Sequence, residues 1–356
     1  MLQKLSLRKR LGLEVFRLLH KREVKEHVLK VLFWECTVRC NLSCRHCGSD
    51  CKKVEKTPDM PLEDFMKVID ELTPHVNPNK TLIIIGGGEA LVRDDVELCG
   101  KQLYDRGYPW GMVTNAMLLD RKRLDSMLAA GLRSLCISLD GFEDFHNDFR
   151  GNPQSFKRAV RAIKMLVQEK ELAWDIVTCA TSINFDSLPA FKEYLISLGV
   201  KNWRVFTVFP AGRALTDKSL QVSDDQYKKL MEFIVETRKE GRIKVSYGCE
   251  GFLGSYETEV RDRFYNCMAG VNIASVLVDG SISGCTSIRS NFHQGNIYKD
   301  SFVDVWNNGF QKYRHREWAK KGQCAKCDMF RYCEGNGMHL YDENENLKMC
   351  NYKRLK

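Results

Sequence analysis

Short apolar segments alternate with amphipathic segments from about residue 28 to residue 240. The apolar segments have the length of strands that are covered on both faces, roughly four to eight residues. The amphipathic segments carry apolar residues at helical spacing, which predicts helices that pack on a sheet. Six strand–helix pairs follow one another, so the sequence predicts an α/β fold with a parallel sheet.

The predicted strands and helices alternate along this region. We place the strands at Val28–Trp34, Thr81–Ile85, Trp110–Thr114, Leu135–Leu139, Trp174–Thr181 and Trp203–Phe209. We place the helices at Pro61–Leu72, Asp94–Arg106, Asp120–Ala130, Ser155–Gln168, Leu188–Leu198 and Asp224–Glu240. Because the carboxyl ends of parallel strands meet at one edge, we expect functional side chains in the turns that follow the strands.

The first 27 residues mix basic and apolar positions and predict an amphipathic helix. Two interpretations of this helix stand side by side. It docks on a membrane surface or a partner, or it covers the side of the main domain. We favour the second interpretation, because short basic faces are commonly only solvated. The predicted organisation is this helix in residues 1–27, an α/β domain in 28–244 and a cysteine-rich domain in 245–356.

Composition narrows the class of protein. The 356 residues are 44 % hydrophobic and 28 % charged, as in soluble globular proteins, and no apolar run is long enough to span a bilayer. Fifteen cysteines without a signal peptide indicate a reducing cytoplasm and metal ligation. The net charge of +9 is modest, and no basic stretch has interleaved aromatic residues, so we expect no nucleic-acid partner.

Three cysteines follow the first predicted strand within one short loop. Cys40, Cys44 and Cys47 have the spacing C-x3-C-x2-C. Three thiolates on one loop can hold three irons of a cubane iron–sulfur cluster and leave the fourth iron open for chemistry. The alternatives are a structural zinc loop or buried core cysteines, but zinc ligands usually come as two separated pairs.

This loop, with Asn41 and Leu42 after the first cysteine and His46 before the last, resembles the signature of the radical S-adenosylmethionine (SAM) enzymes. The resemblance implies a partial (β/α)6 TIM-like barrel and a [4Fe–4S] cluster that binds SAM through its open iron. It also implies that reductive cleavage of SAM yields a 5′-deoxyadenosyl radical, which abstracts hydrogen from a substrate. His46 takes the place of the aromatic residue that lies near the adenine in that family.

Two turns after predicted strands resemble further motifs of the family. The resemblance assigns Gly87, Gly88 and Glu89, after the second strand, to the GGE motif that binds the SAM ammonium group. A tight strand–helix turn is the alternative. Thr114 and Asn115, after the third strand, resemble the TN dipeptide near the cofactor, with a helix-capping turn as the alternative.

A third set of polar residues follows the fourth predicted strand. Ser138 and Asp140 lie on the same side of an extended chain and would suit the ribose or the methionyl end of SAM. Arg150 resembles the arginine that this subfamily turns toward the SAM carboxylate, a group that a planar guanidinium fits. An ordinary loop salt bridge is the alternative for Arg150.

The last quarter of the chain resembles the SPASM domain, an auxiliary-cluster module of radical SAM enzymes. The resemblance rests on Cys267, on a hairpin that begins with the strand Ile273–Val278 and turns at Asp279-Gly280, and on Cys285. Four further cysteines follow: Cys324, Cys327, Cys333 and Cys350. By family analogy these last four form one complete cluster site, although a zinc ribbon could use the same residues.

One SPASM position departs from the family pattern. The next cysteine of the C-x2-C-x5-C-x3-C run would fall at Gly337, so the second auxiliary site has only Cys267 and Cys285. Cys249 could complete a three-cysteine set, with the remaining iron open or met by a non-cysteine ligand. A smaller or absent cluster is the alternative. The other cysteines are interpreted as buried or spectator residues: Cys36, Cys51, Cys99, Cys136 and Cys179.

The sequence therefore predicts a radical SAM enzyme with one or two auxiliary iron–sulfur clusters, which modifies a peptide or protein. The layout also resembles a bacterial subgroup associated with small lipoproteins, which makes a lipoprotein precursor a candidate substrate. A flavodoxin or ferredoxin is the implied reductant. One alternative is a radical SAM enzyme that acts on a small cofactor or tetrapyrrole precursor. The other is a zinc- or cluster-binding scaffold without catalysis.

Overall fold

Strands from both ends of the chain join one sheet. The structure, a computed structural model, describes residues 5–288 and 292–356. Its strands are β1 Val31–Thr37, β2 Leu82–Gly87, β3 Trp110–Thr114, β4 Leu132–Ser138, β5 Ala173–Ala180, β6 Asn202–Thr207, β7 Lys244–Tyr247, β8 Ile273–Val276, β9 Ser281–Ser283 and β10 Gly295–Asn296. Their order in the sheet is β10-β9-β8-β1-β2-β3-β4-β5-β6-β7.

Helices lie before, between and after these strands. They are α1 Leu7–Glu26, α2 Leu62–Leu72, α3 Val96–Asp105, α4 Arg121–Ala129, α5 Glu143–Arg150, α6 Ser155–Leu166, α7 Leu188–Ser197, α8 Asp224–Glu240, α9 Phe302–Asn308, α10 Gln311–Arg314, α11 Phe330–Cys333 and α12 Asn351–Arg354. Ser223 caps α8 with a complete capping box that includes Gln226. In the described ranges, none of these helices is both long and apolar enough to cross a membrane.

The sheet is parallel from β1 to β7, and this confirms the predicted α/β class and partial barrel. Tryptophans anchor the core beneath it. Trp34 stacks on Phe65 of α2 at 4.3 Å between ring centroids, and Trp110 and Trp203 are fully buried. All the parallel strands point their carboxyl ends to one edge, where the turns after them meet.

The sheet is longer than the sequence predicted. Strand β7 was not predicted, because it has only four residues and begins with the exposed Lys244. The predicted boundary between residues 244 and 245 falls inside it. Strand β8 lies parallel to β1, with Ile273 opposite Val31, and β9 and β10 extend the sheet antiparallel. The β8–β9 hairpin agrees with the predicted turn at Asp279-Gly280.

Helix α5 is not among the helices predicted from the sequence. It has only eight residues and buries only His146, Phe149 and Arg150, so its pattern is too short to identify. It ends at Gly151, whose φ of +69° is left-handed and where a Cβ would lie 3.0 Å from the carbonyl oxygen of Ser43. The helix therefore ends directly against the cysteine loop and places Arg150 beside it.

Helix α1 lies against the C-terminal part of the chain. Leu13 is buried, and the rings of Phe16 and Phe264 are 5.6 Å apart. The Tyr332 hydroxyl donates a hydrogen bond to Glu14 at 2.7 Å. The helix is thus attached through one face, as a covering helix would be, whereas the side chains of its opposite face are mostly exposed.

Candidate functional site

A cavity of about 480 Å³ opens at the carboxyl edge of the parallel strands. Its inner wall is formed by the cysteine loop and by the turns after β2, β3 and β4. Its outer wall is formed by residues 209–215 after β6 and by C-terminal residues within 287–348. The volume lies in the range of small-molecule pockets, roughly 300–1,000 Å³.

The three cysteines predicted to hold the SAM cluster line this one cavity: Cys40, Cys44 and Cys47. Side-chain N–H groups point at two of the sulfurs. Asn115 Nδ2 is 3.9 Å from Cys40 Sγ, and an Arg150 guanidinium nitrogen is 3.8 Å from Cys44 Sγ. Such second-layer hydrogen bonds orient sulfur ligands and tune the metal group that they hold.

Arg213, after β6, fastens the cysteine loop and was not found from the sequence. Its guanidinium donates hydrogen bonds to the carbonyl oxygens of Cys44 at 2.7 Å and of Cys51 at 3.0 Å, and to Asp50 at 2.9 Å. Gly212 precedes it, and a Cβ there would lie 2.3 Å from the Cys47 carbonyl oxygen. Because the two segments are far apart in the sequence, no local sequence pattern indicates that Arg213 contacts the cysteine loop.

Cys51 is closer to the site than its interpretation as a spectator suggested. It is buried and lines the cavity. Its thiol donates a hydrogen bond to the Cys47 sulfur, and this lowers the pKa of Cys47. By contrast, Cys36 is fully buried against the carbonyl oxygen of Gly86, at 3.4 Å, and does not reach the cavity.

The backbone after β2 explains why glycines occupy positions 87 and 88. The amide of Gly88 donates to the Thr37 carbonyl at 2.9 Å. A Cβ at Gly87, whose φ is +126°, would lie 2.0 Å from the Thr37 carbonyl oxygen, and one at Gly88 would lie 2.1 Å from that of Arg39. The Gly88 amide thus pairs with the end of β1, which leads into the cysteine loop. That Gly87 and Gly88 help to bind the SAM ammonium group stays a prediction.

Glu89 joins the turn after β2 to the turn after β3. Its buried carboxylate accepts hydrogen bonds from the Thr114 hydroxyl at 2.6 Å, the Asn115 amide at 2.7 Å and the Leu91 amide at 3.2 Å. Burial raises its pKa, although these hydrogen bonds oppose the shift. A carboxylate in the cavity wall remains suited to a cation, as the predicted role in binding an ammonium group requires.

Asn115 connects the TN turn to the cysteine loop. Its side-chain amide donates to Asn41 Oδ1 at 2.8 Å, and its Oδ1 accepts from the Met117 amide at 2.9 Å. The hydrogen bond from Met117 forms the local turn that the sequence offered as the alternative. The hydrogen bond to Asn41 is a long-range contact, so Asn115 both shapes its own turn and joins that turn to the cysteine loop.

Asp140 is not placed as predicted. Its side chain is fully buried and does not line the cavity, whereas Ser138 and Arg150 do. Asp140 accepts hydrogen bonds from Arg150 Nε at 2.6 Å and from the Cys179 amide at 2.9 Å. An extended chain would have put Asp140 and Ser138 on one side, but β4 ends at Ser138. Asp140 therefore positions Arg150 and does not meet a ribose directly.

Arg150 forms a salt bridge, but it is a buried one in the site and not an ordinary loop pair. Burial opposes ionisation of Asp140, yet the Arg150 charge and a hydrogen bond with His146 outweigh it and hold the pKa of Asp140 well below its ordinary value. The paired guanidinium stays charged next to Cys44. It is available to a carboxylate at the cavity wall.

His46 presents a neutral ring to the cavity. Its imidazole stacks on Phe149 of α5 at 4.0 Å between centroids and 8° between planes. Burial and the nearby Arg150 lower its pKa to about 3. Its Nδ1 is buried and has no hydrogen-bond partner in residues 5–288 or 292–356. An unpaired buried nitrogen costs free energy unless a ligand meets it, which fits the predicted place beside an adenine.

The last four cysteines lie near one another. Burial and, to a smaller extent, the neighbouring thiols of Cys350, Cys327 and Cys324 raise the pKa of Cys333 to about 12. Asn336 Nδ2 is 3.7 Å from Cys350 Sγ. The donors are thiols alone, the set that iron–sulfur clusters prefer. This grouping agrees with the predicted complete auxiliary site.

Cys249, Cys267 and Cys285 form a second group of thiols. Although Cys249 is exposed, desolvation by its dense surroundings and the nearby Cys285 and Cys267 raise its pKa to about 12. The space that a side chain at Gly337 would need is filled, because a Cβ there would lie 2.8 Å from His339 Nδ1 and 2.9 Å from the Tyr265 hydroxyl. The position that lacks a cysteine is therefore lined by two polar side chains.

No three histidine, cysteine, aspartate or glutamate side chains in the described ranges converge on a point that could hold one metal ion. A cubane differs from such a site, because each thiolate binds a different iron. The three groups of thiols, with sulfur as their only donor, therefore fit iron–sulfur clusters better than single-ion centres.

Two family models match the chain. The model of the radical SAM superfamily matches residues 34–195, and the SPASM model, an iron–sulfur cluster-binding domain, matches residues 267–328. The AdoMet-dependent heme synthase of Methanosarcina barkeri is 27 % identical over 330 residues, which cover 88 % of this chain and 92 % of that protein. The mycofactocin maturase MftC of Mycolicibacterium smegmatis is 28 % identical over 313 residues, 86 % of this chain and 77 % of that one.

A solved structure has the same fold. SuiB of Streptococcus suis, bound to S-adenosylmethionine, superposes with a TM-score of 0.69 at 17 % identity and covers 94 % of this chain and 80 % of that one. SuiB has also been solved bound to its precursor peptide SuiA. At this identity the likeness concerns the fold.

Proposed function

Because this chain belongs to the radical SAM superfamily and carries a SPASM iron–sulfur cluster-binding domain, we propose that it abstracts hydrogen from a tetrapyrrole-type carboxylic acid. The chain is an enzyme whose cofactors are a [4Fe–4S] cluster, SAM and auxiliary iron–sulfur clusters. The observation that carries the proposal is one cavity whose inner wall has the three-cysteine loop and whose outer wall is aromatic and charged.

The inner wall would hold the cofactors. Cys40, Cys44 and Cys47 would ligate the cluster, which with bound SAM supplies the radical that removes hydrogen. Glu89 would meet the SAM ammonium group, and Arg150, held by Asp140, would meet its carboxylate. The His46 ring, which stacks on Phe149, would offer a flat surface to the adenine. Arg213 would keep the cysteine loop in place through its hydrogen bonds to the carbonyl oxygens of Cys44 and Cys51.

The outer wall would bind the substrate. Phe209, Phe292 and Tyr341 line it with aromatic surface, and Lys348 and Asp342 add charge. A flat apolar macrocycle buries well against aromatic rings, and its carboxylates suit a lysine at the rim. The near full-length match to a heme synthase supports this substrate class over the peptide that the sequence favoured.

A peptide is the second candidate substrate. SuiB, which shares the fold, has been solved with a precursor peptide, and the charged rim of the cavity would also suit a polar chain. A lipoprotein precursor is the finer form of this candidate, which rests on the sequence resemblance alone. With either substrate, an external reductant such as a flavodoxin or ferredoxin would supply electrons.

Substrate-dependent formation of 5′-deoxyadenosine tests the proposal. The reconstituted enzyme is supplied with dithionite, SAM and ferric coproporphyrin, and both nucleoside and porphyrin are followed by mass spectrometry. We expect the porphyrin to increase deoxyadenosine formation and to lose mass, and Lys348→Gln to weaken porphyrin binding while Lys299→Gln does not. If ferric coproporphyrin neither increases deoxyadenosine formation nor shows a changed absorption band with the enzyme, the proposed tetrapyrrole substrate is contradicted. A protease-sensitive stimulant in extract of the native cells would favour the peptide.

A further inference from the structure

Helix α1 has two apolar faces, and only one of them is covered. The covered face carries Leu13, Phe16 and His20 and packs on the C-terminal domain. The other carries five large apolar side chains that are between 55 % and 75 % exposed: Leu7, Leu11, Val15, Leu18 and Leu19. At 100° per residue these five fall within one arc opposite the covered face. We call them the apolar stripe of α1.

The unpaired charges around the stripe have one sign. Arg8, Arg10, Lys21 and Lys25 are exposed, and none of them forms an ion pair with the residues that the structure describes. The acidic residues of α1 are engaged: Glu14 pairs with Arg17 and Arg331, Glu23 with Lys30, and Glu26 with Arg22. The stripe is thus bordered by uncompensated positive charge.

A groove next to the helix continues this basic surface. Leu5, just before α1, and Arg10 line it together with three lysines and one aspartate of the C-terminal part: Lys326, Lys353, Lys356 and Asp328. Met329 and Tyr352 add apolar surface to the lining. Basic side chains over an apolar floor suit anionic headgroups whose acyl chains lie below them.

We propose that the apolar stripe of α1 docks the enzyme on an anionic membrane surface. Apolar side chains on one face of a helix enter the boundary of headgroups and acyl chains, while the basic side chains beside them meet lipid phosphates. The covered face fixes the helix to the domain, so the whole enzyme is held and not only a tail. The Tyr332–Glu14 hydrogen bond and the Lys9–Glu259 ion pair at 3.0 Å make this attachment.

The charge pattern favours a membrane over a protein partner or a second copy. A second copy would bring the same positive charges against the first, and like charges repel. Lipid with anionic headgroups supplies both opposite charge and apolar depth. Neither apolar burial nor charge attraction alone gives stable membrane binding, so we expect the stripe and the basic side chains beside it to act together.

Vesicle flotation with the iron-loaded full chain tests this inference. We expect the enzyme to float with vesicles of equal parts phosphatidylglycerol and phosphatidylcholine, and to float at least about tenfold less with phosphatidylcholine alone. The double variant Leu11→Ser/Leu18→Ser should lose flotation. The matched control Leu98→Ser/Val167→Ser, which removes exposed apolar side chains elsewhere, should float like the wild type. The double variant Arg8→Gln/Lys21→Gln should bind anionic vesicles more weakly, and its binding should depend less on the salt concentration.

Three results would overturn the inference. The wild type could stay unbound to anionic vesicles, or the stripe variant could float as well as the wild type. The third is a dimer in sedimentation without vesicles that the stripe variant abolishes, which would assign the stripe to a second copy. Iron content and circular dichroism should match across variants, because every altered side chain is exposed. Flotation needs no substrate, so this result is independent of the proposed reaction.

Discussion

Arg150 Nε lies 2.6 Å from Asp140 Oδ2, and both side chains are almost completely buried. The pair joins the end of α5 to the end of β4 and leaves a guanidinium nitrogen 3.8 Å from the Cys44 sulfur. The Arg150 charge therefore lies beside a predicted cluster ligand, and it is positioned by a residue that does not line the cavity.

Removing the Asp140 charge should destabilise the fold. Asp140→Asn leaves the buried Arg150 charge without its partner, which typically costs about 3–5 kcal/mol. Urea unfolding at neutral pH measures this loss, and Asp125→Asn on the exposed face of α4 is the control with no comparable cost.

The same pair predicts a pH dependence of that loss. The pKa of Asp140 is held far below its ordinary value, so its contribution is complete above about pH 4 and is lost as the pH falls further. The stability difference between the wild type and Asp140→Asn should therefore shrink below about pH 4. A difference that is constant with pH would show that the carboxylate charge does not hold Arg150.

Two glycines at the end of β2, Gly86 and Gly88, should differ sharply in their tolerance of substitution. A Cβ at Gly88 would lie 2.1 Å from a backbone oxygen, whereas a Cβ at Gly86 would meet nothing within 4 Å. Gly88→Ala should displace the strand that leads to the cysteine loop, at a cost of ~1–3 kcal/mol or more, and should lose SAM binding. Gly86→Ala should keep both properties in thermal unfolding and in equilibrium dialysis with SAM. Equal behaviour of the two variants would contradict the close backbone approach.

Glu89 should control SAM affinity through its charge. Glu89→Gln keeps the side-chain shape but removes the negative charge, so SAM affinity should fall about tenfold or more, as expected for ~1.5–3 kcal/mol of a charged hydrogen bond. Burial raises the pKa of Glu89, so wild-type affinity should fall as the pH drops through that raised value and the carboxylate is protonated. Isothermal titration should find no such step in Glu89→Gln. A variant with wild-type affinity would exclude Glu89 from the ammonium site.

Cys249 should matter for the second auxiliary cluster. Cys249→Ser should lower the iron content by up to about four atoms per chain and change the cluster signals in electron paramagnetic resonance. Cys136→Ser is the matched control, because Cys136 lies buried in β4 away from the cysteine groups. Unchanged iron and spectra in Cys249→Ser would leave that cluster, if it forms, to Cys267, Cys285 and other ligands.

The strand–helix order was predictable because apolar and amphipathic segments alternate locally. Two elements were missed for physical reasons: β7 has four residues, and α5 buries only three. Neither pattern is long enough to separate from a loop. The location of functional residues after strands was also predictable, because the sheet is parallel.

The partners of those residues were not predictable. Arg213 fastens the cysteine loop from a position about 170 residues away, and Asp140 turns toward Arg150 and not toward the cavity. Both relationships depend on how separate segments pack. Which face of α1 is exposed was not predictable for a different reason. The helix carries apolar residues on two opposite faces, so the sequence does not indicate which face packs on the domain.

Anaerobic reconstitution followed by SAM cleavage tests the central claim most directly. Iron and acid-labile sulfide are counted, and 5′-deoxyadenosine is measured with dithionite and SAM. We predict about eight to twelve irons per chain, as two or three cubanes require, together with deoxyadenosine. Cys44→Ala should abolish the nucleoside and keep the auxiliary iron, whereas Cys327→Ala should lose auxiliary iron and keep uncoupled cleavage. Bound zinc in place of iron, with no deoxyadenosine, would contradict the account.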